Sequence, residues 1–181
     1  MASLNADITE SELVKACLGG DTRAQQALYQ KYAPVMYAIC MRYCGSSDNA
    51  KDMLQESFIK LFESLGKFRF QGSFEGWAKR IAVTTCLDFI KKLKQEPYTD
   101  ELENHVELGA DASVFPSLGM KDLLEILQTL PVGYRTVFNL YAIEGYNHGQ
   151  IAELLGISEN TSKTQLFKAR RILQLKLSGN R

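Results

Sequence analysis

No apolar run in this chain approaches the roughly 18 residues needed to span a bilayer. The opening "MASLNADITESEL" has neither the basic start nor the apolar stretch of a signal peptide. Membrane insertion is therefore not expected, and the expected compartment is the cytoplasm. Alternation of the kind that marks half-buried strands is also missing, which argues against a sheet protein. The only two His, His105 and His148, lie far apart, and the four Cys (Cys17, Cys40, Cys44, Cys86) lack the CxxC spacing of a zinc knuckle. Cys40 and Cys44 stand one helical turn apart and could form a metal or redox pair. Free Cys is among the most buried residue types, however, and all four are read as small apolar side chains on helix faces. No metal site and no cofactor is expected. Nor is there a phosphate loop or a nucleophile beside a His and an Asp, so an enzyme is not expected.

Excess charge is lacking as well, since 21 Lys and Arg are cancelled by 21 Asp and Glu. The balance is uneven along the chain: residues 1–95 carry 13 basic and 10 acidic groups, residues 96–120 carry no basic and 6 acidic groups, and residues 121–181 carry 8 and 5. Two mildly basic lobes thus flank an acidic connector, and association follows such local fields rather than the total. At 181 residues the chain suits one ordinary domain or two small ones.

What is present is helical. Thr9 with Glu12 forms a capping box before Leu13, Val14 and Cys17, and Gly19-Gly20 stops that helix. Asp21 caps a second, whose Ala24, Ala27, Leu28, Val35, Ile39 and Tyr43 recur at helical spacing up to "CGSSD". In "NAKDMLQESFIKLFESLG", Met53, Leu54, Phe58, Ile59 and Phe62 form the expected apolar stripe, opposite Lys51, Asp52, Gln55, Glu56 and Lys60. A further helix runs from about Glu75 to Lys94. The segment from Gln95 to Ser117, with Pro97, Gly109, Pro116 and many acids, reads as a flexible linker. The last lobe opens with an apolar set at Leu123, Leu124, Leu127 and Leu130. The expected fold is all-α, two helical domains at 9–95 and 121–178 joined by an acidic linker at 96–120.

The stretch "AELLGISENTSKTQLFKARR" carries the most specific signal. Asn147 with Gln150 makes another capping box, opening a short helix of Ile151, Ala152, Leu154 and Leu155. Gly156 supplies a left-handed turn residue, Ile157 can plug the core, and Ser158 can cap the next helix. A small residue at Ala152 lets the two helices cross closely, which is the pattern of a DNA-binding helix-turn-helix. On the second helix Leu166, Ala169 and Leu173 should face inward. That leaves Glu159, Asn160, Lys163, Thr164, Gln165, Phe167, Lys168, Arg170 and Arg171 for the partner. The cations suit phosphates, while Asn160, Thr164 and Gln165 can read base edges. A solvated basic helix, or one that binds an acidic protein, stays open from spacing alone.

Three segments in order, "DNAKDMLQESFIKLFE", "FEGWAKRIAVTTCLDFIKK" and "LPVGYRTVFNLYAIEGYNHGQIAELLGISENTSKTQLFKARR", resemble the extracytoplasmic-function sigma factors of the sigma-70 family over almost the whole chain. The resemblance implies a sigma domain 2 that melts promoters, a linker, and a sigma domain 4 whose helix-turn-helix binds the upstream (−35) element. It places Asp52, Gln55 and Glu56 on the face that docks on the clamp helices of the largest subunit of core RNA polymerase, with Phe58 and Phe62 behind them. The same three side chains also fit an ordinary solvated face.

The segment "KFRFQGSFEGWAKR" matches the family's element for the melted −10 region. Unstacked bases need aromatic platforms and a cationic track, and Phe68, Phe70, Phe74 and Trp77 interleave here with Lys67, Arg69, Lys79 and Arg80. Phe74 and Trp77 are the expected core members of that set. The implied partners are core polymerase, promoter DNA in duplex and single-stranded form, and an anti-sigma protein. The acidic linker suits a path through the polymerase's cationic RNA exit region. Three positions depart from the family pattern: Thr84 stands where many relatives have Asn, and Ser162 and Gln165 stand where an apolar residue and an Arg are common. Ser162 is expected to loosen the second helix slightly. An operator-binding regulator, and a helical protein serving only protein partners, are the alternatives.

Overall fold

The computed structural model describes residues 9–95 and 118–179, and among these there is no strand. Helix α1 (Glu10–Leu18) starts at the expected capping box, with Thr9 Oγ1 accepting from the Glu12 N–H at 3.3 Å and Glu12 Oε2 accepting from the Thr9 N–H at 2.9 Å. Hydrogen bonds from the Thr9 hydroxyl and N–H hold the Glu12 carboxyl below its ordinary pKa. Asp21 caps α2 (Thr22–Cys44) by accepting from the Arg23 and Ala24 N–H groups. This helix continues past Pro34, which is exposed. The hydrogen bond that proline removes is offset by burial of Leu28, Tyr32, Met36, Ile39, Cys40 and Tyr43 along the other faces.

Helix α3 (Ser47–Ser64), a single 3-10 turn (Leu65–Lys67) and α4 (Phe74–Gln95) complete the first bundle, in which α1, α3 and α4 all pack on α2. Its core includes Val14, Leu28, Met36, Leu61, Phe74, Ala82 and Cys86. In the second lobe α5 (Leu118–Gln128) begins three residues before the expected domain start at 121, so most of the expected linker, 96–117, lies outside the described residues. Then come α6 (Val132–Phe138), a π-helical turn (Asn139–Ile143), α7 (His148–Leu155) and α8 (Glu159–Gly179). The π turn, which sequence did not announce, is closed by the Glu144 N–H donating to Asn139 O at 2.9 Å. Leu127, Leu130, Ala169 and Leu173 form a small cluster, while Leu124, Val137, Leu140, Ile151 and Leu166 join the core that α2 dominates. The two lobes are therefore in contact, through α5 and α6 on α2.

Two residues expected in apolar stripes face outward instead: Ile59 is 53% exposed and Leu123 is 46% exposed. Neighbours in a helix point about 100° apart. At the edge of a stripe that step can carry one neighbour to the surface, and in these two pairs it is Phe58 and Leu124 that are buried.

All four Cys are buried free thiols, in line with the apolar reading. Cys44 and Cys86 bring their sulfurs to 3.9 Å across α2 and α4. Hydrogen bonding with Cys40, then Cys44, and then burial push the Cys86 thiol far above its ordinary pKa, so it stays neutral and unreactive. Titration with a thiol reagent should accordingly detect little reaction in native protein at pH 8 and four equivalents in denaturant. Rapid native reaction of two or more thiols would contradict this packing.

Candidate nucleic-acid and polymerase interfaces

The helix-turn-helix forms as its local signals demand. Gln150 N donates to Asn147 Oδ1 and Asn147 N to Gln150 Oε1, both at 2.9 Å, closing the capping box on α7. Gly156 sits at φ 65° and ψ 37°, and Ile157 N donates back to Ala152 O at 3.1 Å. Ser158 Oγ then accepts from Thr161 N at 3.0 Å to start α8. Leu166, Ala169 and Leu173 are buried as expected, and Ser162 is buried with them.

At about 100° per residue, the direction opposite that buried stripe is shared by Asn160, Thr164, Phe167 and Arg171, all exposed. Lys163 and Arg170 flank this crest on one side, and Lys168 and Gln165 on the other. Phe167 is 66% exposed, an apolar contact suited to a thymine methyl between polar neighbours. Gln165 is only half-exposed, and its amide lies against Gly133, where an added Cβ would meet the amide nitrogen at 3.5 Å. Lys168 Nζ rests 5.8 Å from the Tyr134 ring centroid, and Lys163 pairs with Glu159 at 3.7 Å.

Ser162 has a partner that sequence did not reveal. Its Oγ lies 2.9 Å from His148 Nδ1, and the His148 ring stacks on Tyr141 with centroids 4.6 Å apart. Arg170 covers the same Tyr141 ring at 5.6 Å. The hydroxyl in an apolar position is therefore hydrogen-bonded, which corrects the expectation of a loosened helix: the bond ties the start of α7 to α8.

In the first lobe the interleaved aromatics divide by depth. Phe74 is fully buried, with Tyr32, Phe68 and Trp77 at centroid distances of 5.2, 5.1 and 5.5 Å. Trp77 and Phe68 are half-buried, which moves Trp77 out of the core and to its rim. Phe70 is 42% exposed, held at φ 55°, and packs edge-on against Phe68 at 5.0 Å with Lys15 Nζ over its ring at 5.7 Å. A non-glycine residue in the left-handed region is uncommon and costs energy that the ring contacts offset. Lys67, Arg69 and Arg80 are exposed, whereas Lys79 is half-buried and paired with Glu75 one turn before it. Thr84 is exposed, but its hydroxyl sits 3.0 Å from both Arg80 O and Ile81 O, leaving it to act toward a ligand mainly as an acceptor. Trp77, Arg80, Thr84 and the exposed Lys91 share one face of α4.

On α3, Asp52, Gln55 and Glu56 are exposed together. Ile59 stands in the middle of their face, one to two turns on, and Glu63 continues it. Sequence reading assigned Ile59 to the core; the signal that could have placed it outward was its spacing of seven, four and three from those three residues. Lys60 bridges Glu56 at 3.8 Å and Asp88 at 3.5 Å on one border of this face, and the exposed Lys51 stands on the other.

The family model for sigma-70 region 2 matches residues 28–96, and that for sigma-70 region 4 matches residues 120–173. The extracytoplasmic-function RNA polymerase sigma factor SigW of Bacillus subtilis is 30% identical over 178 residues, covering 91% of this chain and 94% of its own length. This chain is an extracytoplasmic-function sigma factor of the sigma-70 family. Its function is that of the family, promoter recognition in transcription initiation. The sigma-E factor of Haemophilus influenzae is 26% identical, covering 94% of this sigma factor and 96% of its own length. Two solved structures share the fold: the sigma factor RpoE in complex with the anti-sigma factor NepR from Bartonella quintana (TM-score 0.58, 19% identity, 86% of this chain and 98% of that one), and CnrH in complex with the cytosolic domain of CnrY (0.50, 22%, 93% and 97%). The region 2 match contains the α3 and α4 surfaces, and the region 4 match contains most of α8. Among the described residues no helix is long and apolar enough to cross a membrane, and no group of three or more His, Cys, Asp or Glu could hold a metal ion.

The His148–Ser162 contact yields a stability test. Ser162→Ala and His148→Ala should each lower the unfolding free energy by about 1 kcal/mol, and the double variant should lose less than the sum by about 0.5 kcal/mol or more. Strict additivity in urea melts would show that the two side chains do not act as a pair.

Proposed function

We propose that this sigma factor grips promoters with two hands. Helix α8 enters the major groove of the −35 element, its crest of Asn160, Thr164, Phe167 and Arg171 toward the bases and Lys163, Lys168 and Arg170 toward phosphates, with Gln165 at the border. Bases of the melted −10 element stack on the Phe68, Phe70 and Trp77 edge, tracked by Lys67, Arg69, Arg80 and, once released from Glu75, Lys79, with Thr84 as an acceptor. Asp52, Gln55 and Glu56, with Ile59 among them, dock on the clamp helices of the largest subunit of core polymerase. The observation that carries this reading is the α8 crest, on which base-reading side chains sit centrally and cations flank them, opposite a fully buried stripe.

On this reading the chain makes and breaks no bond, nucleotidyl transfer belonging to the polymerase, and it works in the cytoplasm beside that polymerase. Capturing unstacked bases offsets a cost of a few kcal/mol per base. Two small domains need the polymerase to hold them against that cost. Because both solved neighbours are complexed with a further protein, named in one case as an anti-sigma factor, an anti-sigma protein is the proposed regulator here as well.

The deciding experiment is reconstitution: the chain mixed with core polymerase should direct run-off transcription from specific start sites in a genomic promoter library, and the chain alone should not. Sequence-specific duplex binding without any effect on polymerase would instead mark an operator-binding regulator. Within the holoenzyme, Lys168→Ala should weaken binding to all promoters alike and lower the slope of log affinity against log salt by about 0.9. Asn160→Ala should change which upstream sequence is preferred and leave the slope unchanged. If the two variants behave identically, the division into phosphate and base contacts is wrong.

A further inference from the structure

The first four N–H groups of any α-helix lack acceptors within it. At the start of α4 two of them are met by side chains: Gly76 N donates to Ser73 Oγ at 3.3 Å, and Phe74 N donates at 3.3 Å to Oε1 of Glu10, 64 residues earlier on α1. The other oxygen of that carboxylate accepts from the Tyr32 hydroxyl of α2. Tyr32 in turn packs its ring on Phe74 with centroids 5.2 Å apart, so one carboxylate holds both the backbone of Phe74 and the side chain that lies on it. Burial, and then the bond to Glu10, push the Tyr32 hydroxyl above its ordinary pKa, which keeps it a donor. Glu10 also brings negative charge to the positive end of the α4 dipole.

Two further contacts follow the same line. Lys15 Nζ lies 5.7 Å from the Phe70 ring centroid, and Leu18 Cδ2 lies 3.9 Å from where a Cβ would stand at Gly66. Glu10, Lys15 and Leu18 of α1 thus lie beside Phe74, Phe70 and Gly66, which sets the helix antiparallel to the aromatic segment and against it at three points. That segment needs outside support, because residues 68–73 are neither helix nor strand and two of them, Phe70 and Gly72, sit at φ 55° and 97°. The sigma-70 region 2 match begins at residue 28, beyond α1.

We propose that α1 is a positioning element for capture of the melted strand, in which Glu10 sets the backbone at Phe74 and Lys15 backs the Phe70 ring, so that the Phe68, Phe70 and Trp77 edge holds its base-stacking arrangement before DNA arrives. The proposal rests on the reading of that edge as the −10 platform. Stacking needs rings at a fixed spacing and tilt, and a ring that must first be ordered loses part of the stacking energy to its own ordering. Phe68 and Trp77 are set by Phe74, at 5.1 and 5.5 Å, and Phe74 is set by Glu10. Phe70 is the most exposed ring of the set and stands in a backbone conformation that costs energy, so the ammonium over its face counts for most there.

Capture is measured with the full chain assembled on core polymerase and a fork junction taken from a start site mapped by run-off transcription. The −10 strand of the fork is single and carries 2-aminopurine at one adenine position, whose fluorescence reports unstacking. Glu10→Ala should weaken fork binding about fivefold and reduce the aminopurine signal, with affinity for a duplex carrying the −35 element alone unchanged. Glu10→Gln keeps an oxygen for Phe74 N and an amide that can donate to the Tyr32 oxygen, and should stay within about twofold of the unaltered chain. Tyr32→Phe keeps the ring and removes the donor; it should weaken capture about twofold by itself and add nothing in Glu10→Ala. Lys15→Ala should weaken capture about twofold with the slope of log affinity against log salt unchanged, since backing a ring releases no counterion from DNA. Equal loss on the fork and on the −35 duplex, or loss of helix content by circular dichroism in Glu10→Ala, would mark a merely structural role and overturn the proposal. Full capture by Glu10→Ala, or failure of Glu10→Gln to preserve it, would do the same. A lowered salt slope in Lys15→Ala would make that side chain a phosphate contact and overturn its part. Absent run-off transcription with the unaltered chain overturns the sigma reading and this proposal with it, whereas run-off with undiminished capture in every variant overturns this proposal alone.

Discussion

The structure turns on helix α2 and on how its final carbonyls are satisfied. Along its length α2 collects α1, α3 and α4, so the first lobe exists as a bundle because this one helix buries residues on most of its faces. At its end, three backbone acceptors without intrahelical donors are capped by Gln128, Asn139 and Arg135 from the second lobe. The same helix is thus the core of one lobe and the point of attachment for the other. A buried backbone acceptor left without a donor is costly, which gives this contact an energetic weight beyond its small size.

The three candidate surfaces lie away from that contact, and each follows one physical rule. A helix that buries one stripe must present the opposite one, and what stands on the presented stripe sets its partner chemistry. On α8 the presented stripe mixes an amide, a hydroxyl, an aromatic ring and guanidinium and ammonium groups, as a base-reading helix needs. On α3 it is acidic around one isoleucine, the complement of a cationic helix with an apolar spot. In the segment from Lys67 to Thr84 it is a graded aromatic cluster, from the fully buried Phe74 through half-buried Phe68 and Trp77 to exposed Phe70. Across that gradient the buried ring holds the outer ones in place.

Much of this was legible without coordinates. Both capping boxes, the Asp21 and Ser158 caps, the left-handed Gly156 and the inward set Leu166, Ala169 and Leu173 appear where the sequence placed them. These signals are local, each determined by residues within a turn or two of one another. The misreadings share a different origin. Ile59 and Leu123 were assigned inward because periodicity cannot decide between adjacent apolar residues at the edge of a stripe; the packed neighbour decides. Trp77 was read as core and is found at its rim, because Phe74 and Phe68 already fill the space beneath it.

The sequence by itself determined that the chain is helical, where most helices start and stop, and which face of the last helix is free, because backbone capping and the 3.6-residue period act over short separations. Only the tertiary structure decided what Ser162, Arg135 and Asn139 do. Ser162 reads as a flaw in an apolar stripe until His148 is brought to it from 14 residues away. Arg135 and Asn139 read as ordinary polar residues of a short helix until their donors meet carbonyls 92 and 97 residues earlier in the chain. A hydrogen bond has no sequence period, so its partner across such a distance is known only once the helices are packed.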